Sequence, residues 1–297
     1  MHTPGIIDTH CHLFHERLLP DQAEVAARAL GAGVAACVIP AVDVADARES
    51  CRLVERHSRA GWYGLSLGVA VGVHPHEVAA AEAAGGLPAA LAELRALAAG
   101  EAVVAIGEIG LDLARGTDNY QQQARWLRAQ LELAGELELP VILHTRDAAI
   151  EMGQTLRAWA AASDTPAPPG PRPAIAGVLH AFTGDLGLAA LATELGFAVG
   201  VGGIATFSRE TELRQLLASL PLECQVLETD APYLSPHPHR GRRNEPARIT
   251  SVADCLASAR SQTRAEVVAA THANAIALFP RLARLRKTGR QGTPVPV

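Results

Sequence analysis

The chain has 297 residues, 48% of them apolar, and a formal net charge of −5. That length holds one large α/β domain or two smaller ones with a substantial core, and the mild acidity excludes coating of nucleic acid by bulk attraction, leaving a local basic patch as the way to hold phosphate. Lys287 is the only lysine, which excludes Schiff-base chemistry and a carbamylated-lysine metal bridge from the body of the chain.

The first apolar run, residues 5–7, ends in the polar burst Asp8-Thr9-His10-Cys11-His12-Leu13. In an extended strand alternate side chains share a face, so Asp8, His10 and His12 are expected to point the same way. Two imidazoles at i and i+2 can grip one metal ion, or hydrogen-bond locally at a polar strand end. Residues 21–30 carry an Ala-rich helical pattern and 34–40 an apolar strand run. Residues 43–58 read as a helix with Asp43 or Asp46 as cap. The next apolar run, 65–73, leads into Val73-His74-Pro75-His76, and 87–99 is helical. A strand at 102–106 leads into Gly107-Glu108-Ile109-Gly110-Leu111-Asp112.

A long amphipathic helix at 120–139 is stopped by Pro140. The short strand 141–143 ends in His144-Thr145-Arg146-Asp147, and 148–161 is helical. The Pro-rich stretch 163–173 is a loop, and the strand 175–179 ends in His180. Then come a helix at 187–195, a strand at 197–201, a helix at 210–220 and a strand at 225–227, which ends in Glu228-Thr229-Asp230. Eight strand–helix alternations imply a parallel sheet and fit a closed (β/α)8 barrel, a TIM barrel in a single domain over residues 1–280. An open doubly wound sheet is the other arrangement considered. Residues 281–297, basic and then rich in Gly and Pro, read as a partly disordered tail.

In a barrel the residues after each strand converge on one rim. Asp8/His10/His12, His74/His76, Glu108/Asp112, His144/Arg146, His180 and Asp230 all fall there. Histidine and carboxylate ligands without thiolates suit Zn²⁺, Mn²⁺ or Mg²⁺. Six ligands (His10, His12, Glu108, His144, His180 and Asp230) are too many for one open tetrahedral site and about right for two ions. With lysine carbamate excluded, Glu108 is the natural bridge. His10, His12 and Asp230 are assigned to one ion, and His144 and His180 to the other. Such a pair lowers the pKa of a shared water, which Asp230 can orient or deprotonate.

The strings DTHCHL (8–13), GVHPH (72–76), IGEIGLD (106–112), LPVILHTR (139–146), HAFTG (180–184), LETDAPYL (227–234) and RGRRNEP (240–246) resemble the TatD family of metal-dependent hydrolases, from about residue 6 to 280. The resemblance implies an amidohydrolase-like TIM barrel, Mg²⁺- or Mn²⁺-dependent DNase activity, a two-metal site with the ligands named above, and His74 and Glu228 near the reaction centre. Leu127, where the family usually has Phe, and a long Pro-rich segment at 164–173 depart from its pattern without touching the ligand set.

Other signals are weighed against plain structural roles. Gly64-Leu65-Ser66-Leu67-Gly68 matches a nucleophile elbow, but a strand follows where a helix is required. The run 200–205, GVGGIA, lacks the acidic partner of a dinucleotide fold and reads as a tight turn near a substrate phosphate. His74 is favoured as a substrate-side or proton-transfer group. Arg146 offers a fork to phosphate or pairs with Asp147 or Asp112; Asp112 is counted with it on the substrate side. Arg240, Arg242 and Arg243 either hold a polyanionic strand on the rim or pair with Glu245. Tyr233, Phe182 and Phe207 are the candidates for base stacking. The expected activity is a phosphodiesterase on single-stranded DNA or its ends, with an amidohydrolase or deacylase, or a non-catalytic metal-dependent binding module, as alternatives. Five scattered cysteines without CxxC, no signal-peptide pattern and no bilayer-spanning run lead to a cytoplasmic expectation, with no organic cofactor.

Overall fold

A computed structural model of the protein describes residues 4–58, 63–162 and 176–289. The eight strands are β1 (Ile6–Asp8), β2 (Val34–Pro40), β3 (Ser66–Val71), β4 (Val103–Asp112), β5 (Val141–Arg146), β6 (Gly177–Leu179), β7 (Phe197–Val201) and β8 (Gln225–Leu227). They are parallel neighbours in sequence order. The ring closes just past the ends of β8 and β1. There the Thr9 N–H donates to the Leu227 carbonyl (3.0 Å), the Asp230 N–H to that of His10 (2.9 Å), and the His12 N–H to that of Ala231 (2.8 Å). Helices α1 (Gln22–Gly31), α2 (Val44–Ser58), α3 (Val78–Ala83), α4 (Gly86–Ala98), α5 (Tyr120–Glu136), α6 (Ala149–Ala162), α7 (Leu186–Glu194) and α8 (Thr211–Ser219) follow the first seven strands. The architecture is a (β/α)8 barrel, not an open sheet.

Strand alternation builds two apolar layers, as a parallel sheet covered on both faces requires. Ile7, Val38, Ala70, Ile142, Val178, Ala198 and Val226 fill the barrel interior. Their neighbours Cys37, Ile39, Val69, Leu143, Leu179, Val199 and Leu227 face the helices. Two residues above Ile142, Val178 and Val226 stand His144, His180 and Glu228. The polar centre is thus the top rung of the interior stack.

β4 runs to Asp112, six residues past its predicted end at 106, because glycines let it lie against β5. A Cβ at Gly110 would sit 2.0 Å from the His144 carbonyl oxygen, and one at Gly107 2.7 Å from the Ile142 Cβ. Between Ile106 and Ile109 the register against β5 slips, and Glu108 lies in that slip. The Asp43 carboxylate accepts the Asp46 N–H (2.7 Å) and caps α2 as expected. Ser66 opens β3 and is no nucleophile elbow. The loop expected at 163–173 and the first residue of its following strand, Ile175, lie outside the described residues.

Three helices beyond β8 were not foreseen: α9 (Ile249–Ala259), α10 (Arg264–Leu278) and α11 (Pro280–Gly289). α9 packs beside α8 on the outside of the barrel, and α10 and α11 close its N-terminal end. Phe279 and Leu282, both fully buried, join the interior stack. The Arg281 guanidinium donates to the carbonyls of Ala98 (2.8 Å) and Val103 (3.1 Å), at the foot of β4. Residues 281–289 of the expected tail lie in α11, where Leu282 has a core position to fill; 290–297 lie outside the described residues. No described helix is long and apolar enough to cross a membrane.

Candidate metal centre

At the C-terminal rim the expected groups meet. Glu108 is the hub. Its Oε2 lies 3.3 Å from His10 Nε2, while its Oε1 lies 2.8 Å from His144 Nδ1 and 3.6 Å from His74 Nε2. Asp230 Oδ1 lies 3.5 Å from His12 Nε2 and 3.7 Å from the Nε2 atoms of both His10 and His180. The His10 and His180 rings stack, with centroids 3.3 Å apart. Three overlapping triads have donor atoms within 4.8 Å of one another: His10–His12–Glu108, His10–His180–Asp230 and His74–Glu108–His144. The expected partition placed His180 with His144. In the structure His180 keeps company with His10 and Asp230, and His74 stands beside His144.

The donor atoms fit cations. His10 Nδ1 and Glu228 Oε2, both buried, find no hydrogen-bond partner, and His10 Nε2 and His180 Nδ1 meet carboxylate oxygens at 3.3 and 3.0 Å outside good hydrogen-bond geometry. Orphaned buried polar atoms of this kind are costly unless something else satisfies them. Electrostatics agree. Burial opposes ionisation of Glu108, yet His10, His144 and His180 hold it well below the usual carboxylate range. Burial likewise opposes protonation of His144, but Asp112 and Glu108 outweigh it and lift the imidazole to about 9. For His180 the carboxylates, Glu228 first, outweigh burial and lift it to about 10. The centre is short of positive charge. His74 is the exception: burial pushes it down to about 3, so it stays neutral and is better suited to ligation than to proton donation.

Two carboxylates stand behind the ligands. Asp112 Oδ2 lies 3.1 Å from His144 Nε2 and 2.8 Å from His76 Nε2. It is buried, though it also lines the cavity. Glu228 Oε1 accepts the Ala181 N–H (2.6 Å) and faces His180 Nδ1 at 3.0 Å. Such partners orient a ligating imidazole and raise its basicity. The GVGGIA run finds its reason here, since a Cβ at Gly200 would sit 2.4 Å from Glu228 Oε2. The glycine makes room for that carboxylate. Asp8 does not join the histidines. β1 ends at Asp8, whose carboxylate accepts from the Thr229 N–H (2.9 Å) and hydroxyl (2.6 Å) and so ties β1 to β8.

The arginines divide. Arg243 binds Asp21 through both Nη atoms (2.5 and 2.7 Å), and Arg28 binds Glu245 (2.6 Å), so this part of the RGRRNEP string staples the rim. The Arg240 guanidinium lies over the Phe207 ring, 3.5 Å from its centroid. Arg146 is exposed and, among the described residues, forms no ion pair; with Arg115 it lines the cavity over the metal centre, about 810 Å³ in volume. Sequence reasoning missed Arg115 and the cavity residue His15. Arg115 follows a polar strand end with no pattern of its own, and only the return of β4 places it at the mouth.

The fold and the site together define a (β/α)8 barrel with a histidine–carboxylate cluster at its C-terminal rim whose donor groups could hold a metal ion. The sequence profile of TatD related DNases matches residues 7–280, and the chain belongs to that family. It is 35% identical over 282 residues to a protein of Pantoea sp. (strain At-9b) named 3'-5' ssDNA/RNA exonuclease TatD, covering 92% of this chain and 99% of that one. It is 31% identical over 274 residues to the uncharacterized metal-dependent hydrolase YabD of Bacillus subtilis (strain 168), covering 92% and 98%. Among solved structures, the TatD homolog YJJV of Escherichia coli K12 superposes with a TM-score of 0.80 at 30% identity, covering 94% of this chain and 99% of that one.

Proposed function

We propose that the protein is a divalent-metal-dependent phosphodiesterase that removes nucleotides from an end of single-stranded DNA. One observation carries this reading: Glu108 turns its two oxygens to two different groups of histidines, beneath a cavity lined by the guanidinium groups of Arg115 and Arg146, which form no ion pair among the described residues. In this reading Glu108 would be shared by two ions, and the thiolate-free donor set suits Mg²⁺, Mn²⁺ or Zn²⁺. Bound there, the cations would supply Lewis-acid polarisation of a phosphoryl oxygen and lower the pKa of the attacking water. Asp230, facing His10, His12 and His180, would accept the proton of the attacking water. Asp112 and Glu228 hold His144 and His180 in register. Arg115 and Arg146 grip phosphate.

The relatives named as 3'-5' ssDNA/RNA exonucleases support an end-acting enzyme. All five cysteines are free thiols, in keeping with work in the cytoplasm. An amidohydrolase or deacylase calls for a small apolar pocket, whereas this cavity of about 810 Å³ brings two guanidinium groups, Arg115 and Arg146, to the same walls as the carboxylates of the centre.

The test is purified protein with end-labelled single-stranded DNA, with and without Mg²⁺ or Mn²⁺, beside Glu108→Ala. The wild type should release nucleotides only with metal, and the variant should be slower by roughly 100-fold or more, since several kcal/mol of charge stabilisation are lost. Equal degradation by both proteins, or by neither, overturns the assignment.

A further inference from the structure

Aromatic residues make up 4% of the chain; besides Tyr233, half-buried Phe14 lines the same cavity, and the other two near the centre are already engaged. Phe182 is buried, and Phe207 lies under Arg240. Tyr233 is 44% exposed and stands in the cavity wall three residues past Asp230. It is also held firmly. Its N–H donates to the Asp230 carbonyl (2.7 Å), and its carbonyl accepts from Asn244 Nδ2 (2.7 Å). Its hydroxyl lies 2.9 Å from His15 Nε2. The rings of His12 and His15 meet it at 80° and 81°, so neither lies flat against it. A rigid ring open to the cavity, beside two candidate ligands, loses little conformational entropy when something stacks on it.

Building on the nuclease reading, we propose that Tyr233 is the stacking platform for the base of a nucleotide flanking the cleaved bond, while Arg115 and Arg146 hold phosphate in the same cavity. Recognition through a π-face tolerates every base, as a nuclease without sequence preference requires. The ring, not the hydroxyl, is what the substrate uses.

The experiment compares wild type with Tyr233→Ala, Tyr233→Phe and Tyr233→Trp on three metal-supplemented single strands. One has every base; the others carry a tetrahydrofuran abasic residue on one or the other side of the cleaved bond. Tyr233→Ala should lower kcat/KM on the complete strand by roughly 5- to 100-fold, mainly through KM, with Phe and Trp within about twofold of wild type. On one of the abasic strands wild type and Tyr233→Ala should become equal. If Tyr233→Ala does not fold, Tyr233→Leu carries the same comparison. An equal loss on all three strands, or none on the complete one, overturns the proposal while leaving the nuclease reading intact. A wild type that degrades no strand with metal present overturns that reading and this proposal with it.

Discussion

Asp112 and Glu228 play the same part on two different strands. Each lies behind an imidazole of the centre, His144 and His180 respectively, and each is almost wholly buried. Charge-bearing residues are rarely buried without a partner, and here the partners are the histidines whose orientation matters. Both acids were legible in the sequence as rim residues, because each follows an apolar strand. Their work was not, since strand alternation tells which way a side chain points but not which atom it meets. Asp112→Asn keeps the shape and removes the charge on His144. It should weaken Mn²⁺ binding by about 10- to 100-fold, read by calorimetric titration of the metal-free protein, with thermal stability of the loaded enzyme little changed. Unaltered affinity would show that Asp112 serves only His76 and the backbone turn at Ala114, whose N–H it accepts at 3.1 Å.

At the scale of elements, the barrel was readable because eight apolar runs each end in polar residues, and that is the pattern of strands entering one rim. What escaped reading had physical causes. β4 hides its length because Glu108 and Asp112 interrupt its apolar run, and they are tolerated inside a strand only because histidines meet them. The closing helices α10 and α11 follow the last strand, where the repeat predicts nothing further. They are nonetheless part of the core: Phe279 fills the barrel axis from below, at the end opposite the metal centre. Phe279→Ala should cost about 3–5 kcal/mol of stability, measured by urea unfolding, a large share of the ~5–15 kcal/mol typical of a domain. Activity per folded molecule should survive, because the cavity forms at the far end. A loss below about 1 kcal/mol would mean that the helices cover the barrel without plugging it.

For the molecule as a whole, the carboxylates at the rim make the metal-free protein a proton trap. His144 and His180 are lifted to about 9 and about 10 in the fold, against about 6.5 in an unfolded chain. Burial opposes this in both, and the neighbouring carboxylates win. A folded-state value above the unfolded one means that the native state binds protons more tightly. Its stabilising effect is complete below about pH 6.5 and is lost as pH climbs through the folded values. The melting temperature of metal-free protein should therefore fall between pH 7 and 10, and His180→Asn should flatten that fall. The same linkage gives a second reading at constant pH. An imidazole must lose its proton to become a ligand, so Mn²⁺ binding at pH 7 should release protons, seen as a binding enthalpy that changes with the ionisation enthalpy of the buffer. A flat stability curve, with a buffer-independent enthalpy, would mean that the imidazoles are already neutral. The centre would then be ready for its ions rather than occupied by protons in their stead.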